Sequence, residues 1–207
     1  MHRTWGERTI RVLDIGCGSG YSALLLERVG LRGRYVGLDH AEHPRFGGMQ
    51  CAAFARELIV GDVHRIDLTD IEPFDLVLSM TSLEHFENDA GALERIRLAA
   101  GPGAAELHVV PAEDGLRLWE AHGWRQYSAG CVASLCPAAE IYRIGGWASA
   151  MLHHTMITRS MHRGRDGRDR RPNLYMGLRS IALKLDQLMG NHPASLYAAV
   201  TWPENSR

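Results

Sequence analysis

Three glycines at alternate positions follow a short apolar run that ends in an acid: Val12-Leu13-Asp14-Ile15, then Gly16-Cys17-Gly18-Ser19-Gly20. Glycine admits positive φ and close approach of another backbone or a ligand, so this spacing suits a tight turn beneath a bound molecule. The helical pattern that starts at Tyr21 completes a strand, turn and helix N-terminus. Open α/β folds bind cofactors at that junction, outside the carboxyl edge of the sheet. A dinucleotide fingerprint would need G-x-G-x-x-G, and the residue after Gly20 is Tyr21. Two further acids, Asp39 and Asp62, each close a predicted strand, where they can accept hydrogen bonds from a ligand or cap the turn that follows. His85 follows a fourth apolar run, and an imidazole has its ordinary pKa near 6.5, suited to removing a proton at neutral pH. A fifth group, His122, Trp124, Arg125 and Tyr127, mixes imidazole, guanidinium and aromatic surfaces and could clamp an anionic or sugar-like molecule. It equally describes a turn with a buried Trp and Ser128 as a helix N-cap.

The elements that must position these residues alternate. Strands are predicted at 11–15, 34–38, 58–61, 74–79 and 106–110, with helices at 21–29, 50–56 and 88–99 between them. That alternation predicts a parallel sheet flanked by helices. Gly101-Pro102-Gly103 stops the third helix. Beyond Pro111 the pattern supports helices at 113–121 and 128–135, strands at 140–144 and 196–202, and a helix over 174–189 whose Leu178, Ile181, Leu185 and Leu188 fall on one stripe expected to return the chain to the fold. Residues 159–172 hold six Arg, two Asp and almost nothing apolar, and so predict a mobile surface loop, with an anionic lipid surface, phosphate or RNA as its conceivable contacts.

Composition bounds the rest. Of 207 residues, 45% are hydrophobic and 23% charged, the profile of a globular chain able to form its own core. Lys plus Arg number 23 against 24 Asp plus Glu, so no overall field draws nucleic acid and any basic function must be local. The four cysteines form no C-x-x-C pair and predict reduced thiols. His40, His43, His153 and His154 lack the spacing and company of a metal site, and no metal is expected. No apolar run is long enough to span a bilayer and no signal peptide is evident, so the expected location is the cytoplasm.

The glycine run, Tyr35-Val36-Gly37-Leu38-Asp39, Ile59-Val60-Gly61-Asp62-Val63, and Phe74-Asp75-Leu76-Val77-Leu78-Ser79 followed by Leu83-Glu84-His85-Phe86 occur in an order that resembles the motifs of class I S-adenosylmethionine-dependent methyltransferases. The resemblance spans residues 10 to 110. It implies a Rossmann-like fold of seven mostly parallel strands, with the last strand inserted antiparallel beside the fifth and helices on both faces. It implies one domain over 1–207, with a cofactor-binding half at 10–110 and a substrate-side half at 111–207.

The cofactor implied is S-adenosylmethionine, held by Asp14, Gly16, Cys17, Gly18 and Gly20 at its methionine end, by Asp39 and His40 at the ribose, and by Asp62 and the Val63 amide at the adenine. Ser79 would lie beside the sulfonium, His85 would serve as base, and His122, Arg125 and Tyr127 would meet the acceptor. The activity implied is methyl transfer to an oxygen, in preference to a nitrogen, of a small molecule or sugar-containing metabolite. Alternatives are a nucleic-acid methyltransferase, disfavoured by the absence of Asn-Pro-Pro-Tyr and Pro-Cys motifs, or a non-catalytic scaffold on the same fold. The oligomeric state is left open.

Overall fold

The computed structural model describes residues 8–68, 73–116, 125–164 and 166–203. Its seven strands are β1 (Ile10–Ile15), β2 (Gly33–Asp39), β3 (Phe54–Val60), β4 (Leu76–Met80), β5 (Ala105–Pro111), β6 (Glu140–Ile144) and β7 (Leu196–Thr201). They form one sheet in the order β3-β2-β1-β4-β5-β7-β6, with β7 antiparallel. This is the Rossmann-like architecture that the motif order implies. The chain forms two compact units, Met1–His108 with Val200–Arg207, and Val109–Ala199.

In the first unit β1 is central. It pairs in parallel with β2, Leu13 opposite Val36, and with β4, Leu13 opposite Val77. Both faces of β1 are covered, which is why its sequence is almost continuously apolar. Ile10 and Val12 join Tyr35, Leu76 and Leu78 in a cluster that includes Leu26 of helix α1 (Tyr21–Arg28). Leu13 and Ile15 join Val36, Leu38, Val77 and Ile96, the last from helix α2 (Asp89–Ala100). Burial of each such side chain stabilises the fold by about 1.5 to 3 kcal/mol. Asn88 caps α2 by accepting from Gly91 N at 2.9 Å, and Gly101, at φ 84°, ends it as the Gly-Pro-Gly sequence requires.

Residues 50–56 are not helical, although they contain three alanines. The amides of Ala52 and Ala53 donate to Glu27 Oε1 at 3.2 and 3.1 Å, and from Phe54 onward the chain pairs with β2 in register with Gly33. Pairing with a neighbouring strand outweighs the local helix propensity. The first unit also contains a buried polar chain. Ser79 Oγ lies 2.8 Å from His108 Nδ1, His108 Nε2 lies 3.0 Å from Glu106 Oε2, and Arg97 grips both Glu106 oxygens from α2. Burial pushes the Glu106 carboxyl up, but the hydrogen bonds and charges of His108 and Arg97 outweigh it and hold the group at about 2.

In the second unit, helix α3 (Ala129–Leu135) begins at Ser128, whose hydroxyl accepts from Cys131 N at 3.1 Å. Helix α4 (Trp147–His153) runs through a π-helical turn, His154–Thr158, into α5 (Arg159–Met161). Then come α6 (Gly167–Arg170), started by Asp166 accepting from Arg168 N, and α7 (Pro172–Leu188). The described part of 159–172 is therefore largely helical rather than a loop, because short caps and Pro172 at the first turn of α7 supply local order that composition does not display. The helix expected at 113–121 begins instead as turns at Glu113 and Asp114, and its remainder, from residue 117, lies outside the described residues.

The expected stripe on α7 faces outward: Leu178, Ile181, Leu185 and Leu188 are exposed, and Ala182 and Asp186 are the buried positions. Asp186 caps α4 from across the unit, accepting from Ala148 N at 2.8 Å and Ser149 N at 3.0 Å. Desolvation opposes ionisation of this carboxyl, but the donors of Ser149, Ala148 and Gly146 prevail and its pKa is lowered. At the base of these helices Ser195 N donates to Ile144 O at 3.2 Å.

The Glu106 carboxyl, with its folded pKa below the ordinary 4.5, stabilises the folded state fully above pH 4.5, and that contribution fades as pH falls toward 2. Glu106→Gln is expected to lose about 1.5 to 3 kcal/mol at pH 7, the worth of hydrogen bonds to a charged group. It should also show a shallower decline between pH 4.5 and 2 than the parent chain, read from urea unfolding midpoints.

Candidate functional site

The glycine turn is built by its surroundings. Gly16, Gly18 and Gly20 all have left-handed φ, at 66°, 51° and 74°. A Cβ on Gly16 would stand 2.5 Å from Ser82 Cβ, because Ser82 Oγ donates to Ile15 O at 2.6 Å and ties the end of β4 to the end of β1. A Cβ on Gly20 would meet the Phe46 ring at 2.9 Å. Above Gly18 there is nothing within 4 Å. Gly16 and Gly20 are thus glycine for packing, and Gly18 keeps space open on the outer side of the turn. Helix α1 follows directly, and its N-cap residue is Gly20, with no side-chain cap hydrogen bond.

Asp39, the last residue of β2, reaches back to this turn, and its Oδ2 accepts from Gly18 N at 2.8 Å. Its Oδ1 lies 2.8 Å from Nδ1 of His40, an otherwise exposed ring. A carboxylate offers about four lone-pair sites, so two protein donors leave Asp39 able to accept further hydrogen bonds. Asp62, two residues beyond β3, accepts from His64 N at 2.9 Å and sits 3.4 Å from Arg65, with its side chain 46% exposed. It caps the turn after β3 while keeping one edge in solvent. The Val63 side chain is core.

Asp14 does not line the turn as an exposed group. It is 1% exposed, on the same face of β1 as Ile10 and Val12, and accepts from the Tyr35 hydroxyl. Burial pushes its carboxyl up to about 6, against the hydrogen bonds of Tyr35 and Ser22, with the negative Asp39 adding to the rise. A cation brought beside this carboxylate would favour its ionised form. Its Oδ1 is buried without a hydrogen bond of good geometry. Cys17 packs its sulfur beneath β2 at Gly37, and burial, then Asp14 and Asp39, drive its thiol up to about 12. The cysteines are free thiols, and Cys17 is inert packing.

His85 ends a 3-10 turn (Leu83–His85) and is exposed. Partial desolvation lowers its pKa, the charge of Asp39 raises it, and His40 lowers it. The imidazole therefore shares an electrostatic neighbourhood with the end of β2. Its neighbour Glu84 is fully buried, and burial pushes its carboxyl up to about 7; nothing in the sequence distinguishes this acid from a solvated one. Ser79 is 0% exposed and engaged with His108, so its hydroxyl belongs to the polar chain behind β4 rather than to an open lip.

Among the residues expected to meet an acceptor, His122 lies outside the described residues and Arg125 is half-buried. Tyr127 is a correction: it is fully buried, bridging Ala112 in parallel, and its ring fills the core of the second unit instead of facing a ligand. Sequence reasoning missed a separate cavity of about 300 Å³ in that unit, lined by Asp114, Trp147, Met151 and His154, with Tyr197 donating to Asp114 at 3.1 Å. Asp114 stands three residues beyond β5, and an acid in a turn gives no local sign of it.

A family profile described as a methyltransferase domain matches residues 1–148. Comparison with curated proteins gives no match. Among solved structures, a 1,6-didemethyltoxoflavin-N1-methyltransferase from Burkholderia thailandensis, with bound 1,6-didemethyltoxoflavin and S-adenosylhomocysteine, is 22% identical with a TM-score of 0.53. The match covers 66% of this chain and 64% of that one, so this chain spans less than two thirds of that protein's length. A SAM-dependent methyltransferase from Archaeoglobus fulgidus is 16% identical with a TM-score of 0.59, covering 95% of this chain and 87% of that one. The [4+2]-cyclase SpnF is 19% identical with a TM-score of 0.58, covering 96% and 76%. These likenesses establish the shared fold.

The glycines separate by their surroundings. Gly16→Ala, with both a left-handed φ and a clash at Ser82, is expected to cost about 3 kcal/mol or more of folding stability. Gly18→Ala, with the strained φ alone, should cost about 1 to 2 kcal/mol. Urea unfolding of the two variants side by side checks the difference.

Proposed function

The chain belongs to the methyltransferase-domain family, and on that premise we propose that it transfers a methyl group from S-adenosylmethionine to an oxygen, in preference to a nitrogen, of a small molecule or sugar-containing metabolite. The observation that carries the reading is the glycine turn held to the end of β2 by Asp39, with open space over Gly18. The donor set fits the cofactor. The turn and the start of α1 suit the methionine carboxylate. Asp14, buried on β1, acts on its ammonium by charge and not by contact. Asp39, with His40 beside it, keeps acceptor capacity for two ribose hydroxyls, and Asp62 with the Val63 amide offers an acceptor and a donor for the adenine edge. Bound there, S-adenosylmethionine supplies an electrophilic methyl carbon on a sulfonium.

The chain's own part is to align and to move one proton. Holding a nucleophile in line with the methyl carbon supplies much of the rate. A hydroxyl acceptor must also lose its proton, and His85, exposed and with a pKa below the ordinary imidazole value, is the neutral base for it at pH 7. Arg125 suits an anionic substituent, and His122 stays in the proposal on its sequence position. The cyclase with this fold is the reason that a fold alone does not name the reaction.

Asp39→Ala is expected to weaken S-adenosylmethionine binding by about 1.5 to 3 kcal/mol in titration calorimetry, and unchanged affinity removes the ribose assignment. With an acceptor in hand, His85→Gln should lower kcat by about 10²- to 10⁴-fold at pH 7 while cofactor affinity holds. The parent enzyme's rate should rise with pH through a pKa below 6.5. A rate independent of His85 assigns proton removal elsewhere.

A further inference from the structure

Helix α7 carries an apolar stripe that nothing in its own unit covers. Leu174, Leu178, Ile181, Leu185 and Leu188 recur at four- and three-residue spacing and are 46%, 38%, 58%, 46% and 84% exposed. The packed positions, Ala182 and Asp186, lie to one side of it, about a quarter to a third of a turn around the helix, and Leu183 and Met176 beyond them are exposed. At 1.5 Å per residue the 17 residues of α7 are about 25 Å long, so the stripe is an extended surface and not a scattered set of leucines. Lys184, the chain's single lysine, lies along its polar border, followed around the helix by Ser180 and Gln187.

Charge is segregated to the same segment. Between residues 159 and 188 there are eight Arg and Lys against three Asp, one of them the buried Asp186, in a chain whose net charge is −1. Arg159, Arg163, Arg168, Arg170 and Arg171 are exposed, and Asp166 is engaged by Arg168 at 2.6 Å. No helix among the described residues is long and apolar enough to cross a membrane. A long helix with an exposed apolar stripe, a lysine at its border and an arginine-rich approach has instead the build of one that lies in the plane of an anionic bilayer, its leucines among acyl chains and the guanidinium groups of the preceding segment among lipid phosphates.

We propose that α7 and the basic segment before it form a docking surface for an anionic phospholipid membrane. A second copy of this chain would have to bring two net-positive segments together, whereas an anionic bilayer neutralises them, and this complementarity selects the occupant. The proposal is independent of the acceptor and of the cofactor assignment, because it uses neither set of residues.

The test is co-sedimentation of the full chain with vesicles of phosphatidylcholine containing about 30% phosphatidylglycerol, against phosphatidylcholine alone, with sedimentation velocity of the free protein. Binding to the anionic vesicles is expected to be about tenfold tighter or more, and to weaken about tenfold between roughly 50 and 500 mM salt. Ile181→Glu with Leu185→Glu, at outward positions, should abolish pelleting. Arg170→Ser with Arg171→Ser should weaken it separately, so the proposal does not hang on one variant folding, and far-UV circular dichroism and thermal melts check the fold of both. Equal binding to neutral vesicles overturns the proposal, as does pelleting unmoved by the Glu pair. Absence of pelleting overturns it too, and if the free protein is then a dimer that the Glu pair dissociates, the face belongs to a second copy.

Discussion

Three hydrogen bonds join the turn after β1 to the end of β2: the amides of Gly16 and Cys17 donate to Leu38 O at 2.8 and 3.3 Å, and that of Gly18 donates to the Asp39 carboxylate at 2.8 Å. They offset the backbone entropy that a glycine-rich turn loses on ordering, which is larger for glycine than for any other residue. With them, the left-handed run of Gly16, Gly18 and Gly20 is held from the far side of a strand pair, and the same carboxylate stays partly available. The turn is further clamped from β4 by Ser82 and from below by Cys17 and Phe46. Preorganisation of this kind lowers the cost of binding, because the ordering has been done by folding.

Around that turn the fold places acids in different electrostatic settings according to burial and donors, not sequence neighbourhood. Asp14 and Glu84 are driven up toward neutrality by desolvation, while Glu106, partly buried, is driven down because His108 and Arg97 both reach it. The difference is whether a cationic partner arrives with the burial. The Asp39 carboxylate is shared between the Gly18 amide and the His40 imidazole.

Much of the first unit was legible because its signals are local. Apolar continuity in β1 follows from cover on both faces, alternate glycines follow from a turn with positive φ, and Gly101 ends α2 by the same chemistry. What escaped depends on distant partners. The 50–56 segment reads as helical until Glu27 and β2 are brought to it. The stripe on α7 is visible from its spacing, but periodicity shows only that a stripe exists, and the packed face proves to be the one carrying Asp186. That aspartate caps a helix 38 residues earlier in the chain, a bond with no local trace. An aromatic beside arginine and histidine has the local look of a binding surface, yet Tyr127 is completely buried.

The bond from Ser195 to Ile144 closes the neck of an excursion, residues 145–194, that leaves the sheet and rejoins it at one place. The family pattern stops at residue 148, almost at that neck. Most of the excursion thus lies outside the matched pattern, and because its two ends meet at one place, chain can be added to or removed from it at a small entropic cost, without changing the register of the strands on either side.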